Sequence, residues 1–560
     1  MNAGKPVLEV AVVVIGYDDA AHVTDAVRSA LAQGPAVREV VAVDDCSTDG
    51  SAGLLNRLAA SERRLRVIRR RVNSGGCGTP RNTGLAAVTS PYVMFLDSDD
   101  ALPPGAVDAL LAAATGAHAE VASGLCVRRE LPSGREVPWQ ARLYTHHAVV
   151  PHPARRPGLV HDTLCVNKLY RTAFLREHGI RFPEGRFPYE DVVFTARVLA
   201  AAPRIALVPD RVYVWHVRRS AERLSISLDR AGVDNWRART EACRQAYEVL
   251  LGSGQKELAR VARAKFLDHD LRMYLRELGL RDAPYRRAWW ELTRAHLAEY
   301  DAADWARNPA APGRLAGRVV LACPEPRDLP RLRELAARPA RLYPPYARTE
   351  DGTPVWSADL PQISLEPLLT RPVAELPLAV DAELRPHAGS TRLRLRLRLH
   401  ELYGRLAQAG PEAVEVEWRH RDDGDVAVCG RAVPASPAGC PGRTGATGEA
   451  TGPADGRPTE TVDSWSAETV VDLGALAAHG PSTWDLRLRI RFRAGVSREV
   501  TAHALTGAGL LRRRAVPSPR HGVVLVQPYA THSGALALRV APGARGVLSV
   551  VRGRLRRLLH

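Results

Sequence analysis

The hydrophobic pattern changes period several times along this 560-residue chain. Residues 7–15 are a near-continuous apolar, β-branched run, the mark of a strand covered on both faces. Residues 21–33 then place Val23, Ala26, Val27, Ala30 and Leu31 on one helical face. The alternation continues with strands at 39–43, 65–69 and 92–96 and helices at 51–60 and 80–88. Strands alternating with helices of this length predict an α/β domain with a parallel, doubly wound sheet. Residues 120–230 are expected to complete that domain on its acceptor side. Helical periodicity without internal proline covers 233–251, 255–278 and 288–296. Beyond about residue 340 the pattern becomes two-fold, most plainly in the RLRLRLRLH of 392–400, a half-exposed strand. The expected order is a domain over 1–230, a helical linker over 231–338, and an all-β, sandwich-like module over 370–505. A Gly/Pro-rich flexible loop at 431–463 and a short β extension with a basic tail at 506–560 complete it.

Composition narrows the possibilities. A hydrophobic content of 45% supports real cores. The net charge of +17 comes almost wholly from arginine, since only Lys5, Lys168, Lys256 and Lys265 are lysines. That charge is dispersed and accompanies no nucleic-acid motif, so nucleic-acid binding is not expected. A positive field does suit an anionic acceptor. The eight cysteines are scattered without a C-x-x-C pair, which fits reduced cytosolic thiols. The first apolar run contains Glu9 and lacks a basic leader, so no secretory signal is expected. The expected location is cytoplasmic, with peripheral contact at the inner membrane face as an option for the basic tail.

The strand ends carry the candidate chemistry. Residues 95–100, FLDSDD, crowd Asp97, Asp99 and Asp100 directly after an apolar strand. Carboxylates repel one another, so such crowding costs energy unless a cation or hydrogen-bond donors offset it. A hard divalent metal is one solution, and a turn capping the next helix is the other. Tyr17 and Asp45 also stand at predicted strand ends, and ligands of doubly wound sheets bind beyond those ends. The first turn, Gly16 to Ala21, lacks G-x-G-x-x-G and places acids where a dinucleotide pyrophosphate would sit, which excludes a Rossmann dehydrogenase.

Taken in order, these pieces resemble the inverting, GT-A-fold glycosyltransferases of family 2. They are Gly16-Tyr17, VDDCSTDG at 43–50, NSGGCGTPRNTG at 73–84, FLDSDD at 95–100, VNKLYR at 166–171 and YEDVVF at 189–194. The order of catalytic domain, helical linker and β module also looks like the bacterial transferases that decorate polyol-phosphate wall teichoic acids. The resemblance implies a GT-A, Rossmann-like nucleotide-diphospho-sugar fold acting in cell-wall biogenesis. A UDP-sugar would be the donor and a glycan or polyol-phosphate hydroxyl the acceptor. Asp45 would accept from uracil N3–H while Tyr17 lies against the base. The glycine-rich loop around Gly76 would let backbone approach the nucleotide, and Arg81 would add a fixed positive charge. Asp97 would contact ribose or metal and Asp99 the metal directly, with His216 as a third ligand. An imidazole ligand favours Mn²⁺ over Mg²⁺. Asp191 would be the general base, with Glu190 tuning it or binding the donor sugar. Lys168 would hold a phosphate. Ser225, in a polar segment with Arg218, Arg219 and Ser227, would close over the pyrophosphate. The competing reading is a non-catalytic carbohydrate-binding scaffold with a vestigial transferase domain. The β module is expected to bind the acceptor or to support a homo-oligomer.

Overall fold

A computed structural model describes residues 9–132, 134–218, 230–309, 311–337, 347–386, 391–401, 404–421, 424–436, 464–505, 513–531 and 534–543. The basic tail, Ser225 and its neighbours Arg219 and Ser227, and most of the Gly/Pro-rich loop lie outside the described residues. The chain divides into two compact units, one mainly residues 1–270 with 281–307, the other mainly 308–323 with 327–560.

The first unit is built on a nine-stranded sheet in the order β3-β2-β1-β4-β8-β5-β9-β7, with β6 paired to β5. Its strands are β1 (Val10–Gly16), β2 (Val37–Asp44), β3 (Leu65–Arg69), β4 (Tyr92–Asp97), β5 (Val121–Leu131), β6 (Arg135–Pro138), β7 (Ala148–Val150), β8 (Lys168–Arg171) and β9 (Ile205–Arg218). Helices α1 (Val23–Leu31), α2 (Ser51–Ser61), α3 (Gly78–Ala87) and α4 (Ala106–Gly116) alternate with the first strands. α5 (Thr172–Glu177) and α6 (Glu190–Ala200) follow later. The valines of β1 are at most 1% exposed, which explains why that run is apolar at every position rather than at alternate ones.

The sheet is parallel where strands and helices alternate, as expected for residues 7–120, and becomes mixed beyond them. β3, β2, β1 and β4 are parallel, but β8 runs antiparallel to both β4 and β5. Parallel neighbours need a crossover that returns the chain to the same edge of the sheet, usually through a helix. β8 is instead reached through a long excursion of short turns and 3₁₀ segments between Ala141 and His161, so the constraint does not apply.

The helical region comprises α7 (Asp234–Gly252), α8 (Lys256–Lys265), a π-helical turn at Phe266–Leu271, α9 (Arg272–Leu278), α10 (Ala283–Ala298), α11 (Ala302–Ala306), α12 (Pro312–Ala322) and α13 (Leu329–Ala336). Among the described residues no helix is long and apolar enough to cross a membrane.

The second unit contains two sheets besides a two-stranded hairpin. A four-stranded sheet joins residues 464–472, 392–400, 380–386 and 503–504 in that order. A seven-stranded one joins 426–432, 411–420, 482–492, 536–542, 522–530 and 514–518, with 497–500 on the 482–492 strand. Strict alternation makes the first sheet legible: Leu393, Leu395, Leu397 and Leu399 are at most 3% exposed, while their arginine neighbours face outward.

Candidate active site

The parallel register sets the site. Gly16 lies opposite Asp44, and Ile15 opposite Asp97, so three strand ends share one edge. Side chains then lace the loops together. Asp18 accepts from Thr48 N–H at 2.6 Å, and its own N–H donates to Ser47 Oγ at 2.9 Å. Ser98 Oγ donates to Asp19 Oδ2 at 2.7 Å, tying the acidic segment to the end of β1. Tyr17 is 37% exposed at this edge, the condition for a ring that meets a ligand.

Asp45 is engaged by the protein itself. Its Oδ2 accepts from Ser74 N–H at 3.0 Å, Ser74 Oγ at 2.7 Å and Asn73 Nδ2 at 3.2 Å. Arg70 Nε stands 2.7 Å from Oδ1. Asp45 therefore shapes the glycine-rich loop. The glycines of that loop face the protein too. A Cβ on Gly76 would lie 2.5 Å from the Gly185 carbonyl oxygen, and one on Gly78 would lie 1.9 Å from that of Pro183. α3 fixes the same segment with Asn82, whose amide donates to the Phe182 carbonyl at 2.9 Å and accepts from the Phe182 N–H at 2.9 Å. The glycine-rich motif thus seats the chain that leads into Glu190 and Asp191. Asn82 and Phe182 are site-building residues that sequence reasoning did not single out, although Asn82 lies within the quoted motif.

Arg81 joins the two acidic centres. It is 2% exposed, pairs with Glu190, and donates from Nη2 to Asp97 Oδ1 at 2.7 Å. Its guanidinium also lies over the Phe182 ring at 5.4 Å, and Phe182 stacks on Phe194 of α6 at 3.8 Å. An aromatic layer therefore holds β4, α3 and α6 in register beneath the charges.

The acidic segment is under-compensated. Burial, then Asp97 and Asp19, push the Asp99 carboxyl up to about 6, and Arg218 only partly opposes them. The Asp99 side chain remains 42% exposed. Asp100 is buried and accepts from Tyr213 Oη at 2.7 Å and from the His216 N–H at 2.8 Å. Tyr213 Oη in turn accepts from the Asp97 N–H at 3.2 Å, a bridging role not anticipated from sequence. Asp100 thereby orients the segment from beneath.

A short bridge between Ala101 and Val214 brings His216 alongside. His216 Nδ1 is 3.1 Å from the Asp99 carbonyl oxygen. A carbonyl only accepts, so Nδ1 carries the proton and Nε2 presents its lone pair. Burial holds this imidazole below its ordinary range, which keeps it neutral. Among the described residues no three His, Cys, Asp or Glu side chains converge as a complete metal shell.

Glu190 and Asp191 open α6, where the positive end of the helix favours carboxylates. Burial, reinforced by Asp191, pushes Glu190 up to about 7. Burial also raises Asp191, with Arg81 opposing. Lys168 is not turned to open space: Nζ donates to Asp162 Oδ2 at 2.8 Å and Asn167 Oδ1 at 3.0 Å within a buried network.

An acidic pair on one side of Arg81 and a partly exposed carboxylate cluster on the other suit transfer chemistry at a charged leaving group. Residues 11–179 match the model of Glycosyl transferase family 2. They are a family 2 glycosyl transferase domain. Around this domain the chain is 31% identical over 220 residues to the poly(ribitol-phosphate) beta-N-acetylglucosaminyltransferase TarS of Staphylococcus aureus. That stretch is 39% of this chain and 37% of the relative. It is also 29% identical over 262 residues to the succinoglycan biosynthesis protein ExoO of Rhizobium meliloti, covering 44% of this chain and 71% of that one. The crystal structure of S. aureus TarS superposes with a TM-score of 0.52 at 17% identity, over 95% of this chain and 85% of that one. The likeness shows a shared fold: a GT-A-like mixed sheet, a helical middle region and a C-terminal antiparallel β module. The matched residues 11–179 include the strand ends just described.

Proposed function

We propose that the protein transfers a sugar from a UDP-sugar to a hydroxyl of a polyol-phosphate polymer or related cell-envelope glycan, with inversion. The observation that carries this reading is the Arg81 bridge, which ties Glu190, next to Asp191, to Asp97 of the acidic segment. Asp191 takes the proton of the acceptor hydroxyl as its oxygen attacks the anomeric carbon. The bond from that carbon to the diphosphate oxygen breaks, and the electron pair leaves with UDP. Glu190 stands beside the base, and the two titrate as a pair. Tyr17 lies against the uracil, while Asp45 acts through the loop it holds.

The donor set suits a divalent cation. Asp99 is open to solvent, crowded by like charges, and neighboured by the Nε2 lone pair of His216. Asp99 and His216 would bind Mn²⁺, or Mg²⁺, with Asp97 close by and diphosphate oxygens filling the shell. Such an ion would stabilise the charge of departing UDP as a Lewis acid.

UDP-GlcNAc is the first donor to test, since a solved structure of S. aureus TarS 1–349 in complex with UDP-GlcNAc is of the same fold, at a TM-score of 0.50. Protection against thermal unfolding by a panel of UDP-sugars with Mn²⁺ should single out one donor. Hydrolysis of that donor with and without Mn²⁺ then separates an enzyme from a sugar-binding scaffold. Binding without any turnover would overturn the proposal. The β module over 370–505 would hold the acceptor or a second subunit.

A further inference from the structure

We propose that Arg239 is a positioning residue for the Glu190–Asp191 pair, acting through Tyr189. The inference rests on the reading of Asp191 as the base. Tyr189 is the residue from which α6 departs, and it is 5% exposed. The Arg239 guanidinium lies over its ring, 4.5 Å from the centroid. Tyr189 Oη donates to Asn235 Oδ1 at 2.7 Å. Asn235 and Arg239 are four residues apart on α7, so they project from one helical face. The ring is therefore held at its face and at its hydroxyl by a single helix.

That helix is a firm support. Trp236 is 0% exposed, donates from Nε1 to Thr293 Oγ1 of α10 at 2.9 Å, and stacks on Trp289 at 5.3 Å. Arg239 is aimed in turn by Asp270, 0% exposed, with which it forms an ion pair. Lys265 Nζ stands 3.5 Å from the same carboxylate. Asp270 belongs to the π-helical turn at Phe266–Leu271, and such turns are rare and recur at functional sites. Its ion pair with Asp270 aims the guanidinium at the Tyr189 ring, and through that ring Arg239 acts on the acidic pair. A lysine would keep the charge for Asp270 but lacks the planar group that covers a ring.

The test compares Arg239→Lys, Tyr189→Leu and their double variant with wild type, using UDP-GlcNAc hydrolysis with Mn²⁺ and hydrogen exchange. A misplaced base should lower kcat by about tenfold or more in each single variant, with KM within about twofold. The acid limb of the pH profile should move, and the double variant should be no worse than either single one. Exchange protection of 186–192 should fall while that of 92–100 holds. Wild-type kcat and protection in Arg239→Lys would overturn the proposal. So would a general loss of protection with an unmoved pH profile, the result of a merely structural role. If Arg239→Lys does not fold, Arg239→Met, which leaves Asp270 facing Lys265, replaces it, with the same expectations. Asp191→Asn is run alongside. Retained turnover there sinks the base assignment alone, and protection of 186–192 still decides whether Arg239 holds Tyr189.

Discussion

At the end of β4, Asp97, Asp99 and Asp100 stand with Asp19 close to one another, with Arg81 on Asp97 and Arg218 beside Asp99. Along the 392–400 strand, Arg392, Arg394 and Arg396 face Asp472 and Glu468 of the neighbouring strand. Both are runs of charge at strand positions, yet their physics differs. In the β module the charges alternate in sign across strands and lie in solvent, with pair distances of 3.3 to 3.9 Å, so each pair contributes little. At β4 they share a sign and are partly withdrawn from water, and the Asp99 carboxyl rises to about 6 as a result. Uncompensated charge is costly to stability, and it becomes useful where a ligand supplies the missing counter-charge. The contrast separates a solvated face from a reactive one more clearly than sequence composition does.

Four experiments press on this contrast, beginning with the widest effect. Asp191→Asn should lower transfer by about 10²–10⁴-fold, the range of a general base, while UDP binding measured by calorimetry is kept. Transfer by the wild type should rise through an acid limb lying above the ordinary aspartate range, because burial raises both carboxyls of the pair. Full turnover in the variant would remove the reactive half of the comparison.

Next comes Arg81→Met, which strips the cation from a nearly buried Glu190. Breaking such a pair costs about 3–5 kcal/mol, readable as a lower midpoint in denaturant unfolding. A loss below about 1 kcal/mol would mean that the acidic centres do not need the bridge.

Asp99→Asn gives a smaller, pH-dependent effect. The folded-state value, about 6, lies above the ordinary 3.8, so the folded state binds the proton more tightly. Stability from this group is full below 3.8 and is lost as pH rises through about 6. Without metal, the variant should therefore match the wild type at pH 4 and exceed it at pH 8. Allowing for the exposure of Asp99, the gain is on the order of 1 kcal/mol. Mn²⁺ should raise the Tm of the wild type and not of the variant. Equal stability at both pH values would show that the crowding is relieved by solvent.

Smallest of all is Glu468→Gln in the arginine-bearing sheet. It should change stability by less than about 0.5 kcal/mol and respond little to salt. A larger change would blur the distinction between the two regions.

Local pattern was enough for much of the chain. Period-two alternation placed the 392–400 strand at its observed ends, and the β-branched run located β1 to within a few residues. These features were legible because which face is buried depends on residues adjacent in sequence. The acidic residues at the strand ends were visible for the same reason, since parallel neighbours finish at one edge. Tertiary contacts decided the rest. The partners of Arg81 lie 16 and 109 residues away, and nothing local says that its charge is engaged by protein. Gly76 and Gly78 signal close approach, but only packing reveals that the approach is to 183–185. The antiparallel entry of β8 escaped because an irregular excursion leaves strand direction unconstrained. The sequence by itself determined the periodicity, the elements and the chemistry available at their ends. Which charges face one another, and which are matched, was left to contacts across the fold, where burial sets the energy of each.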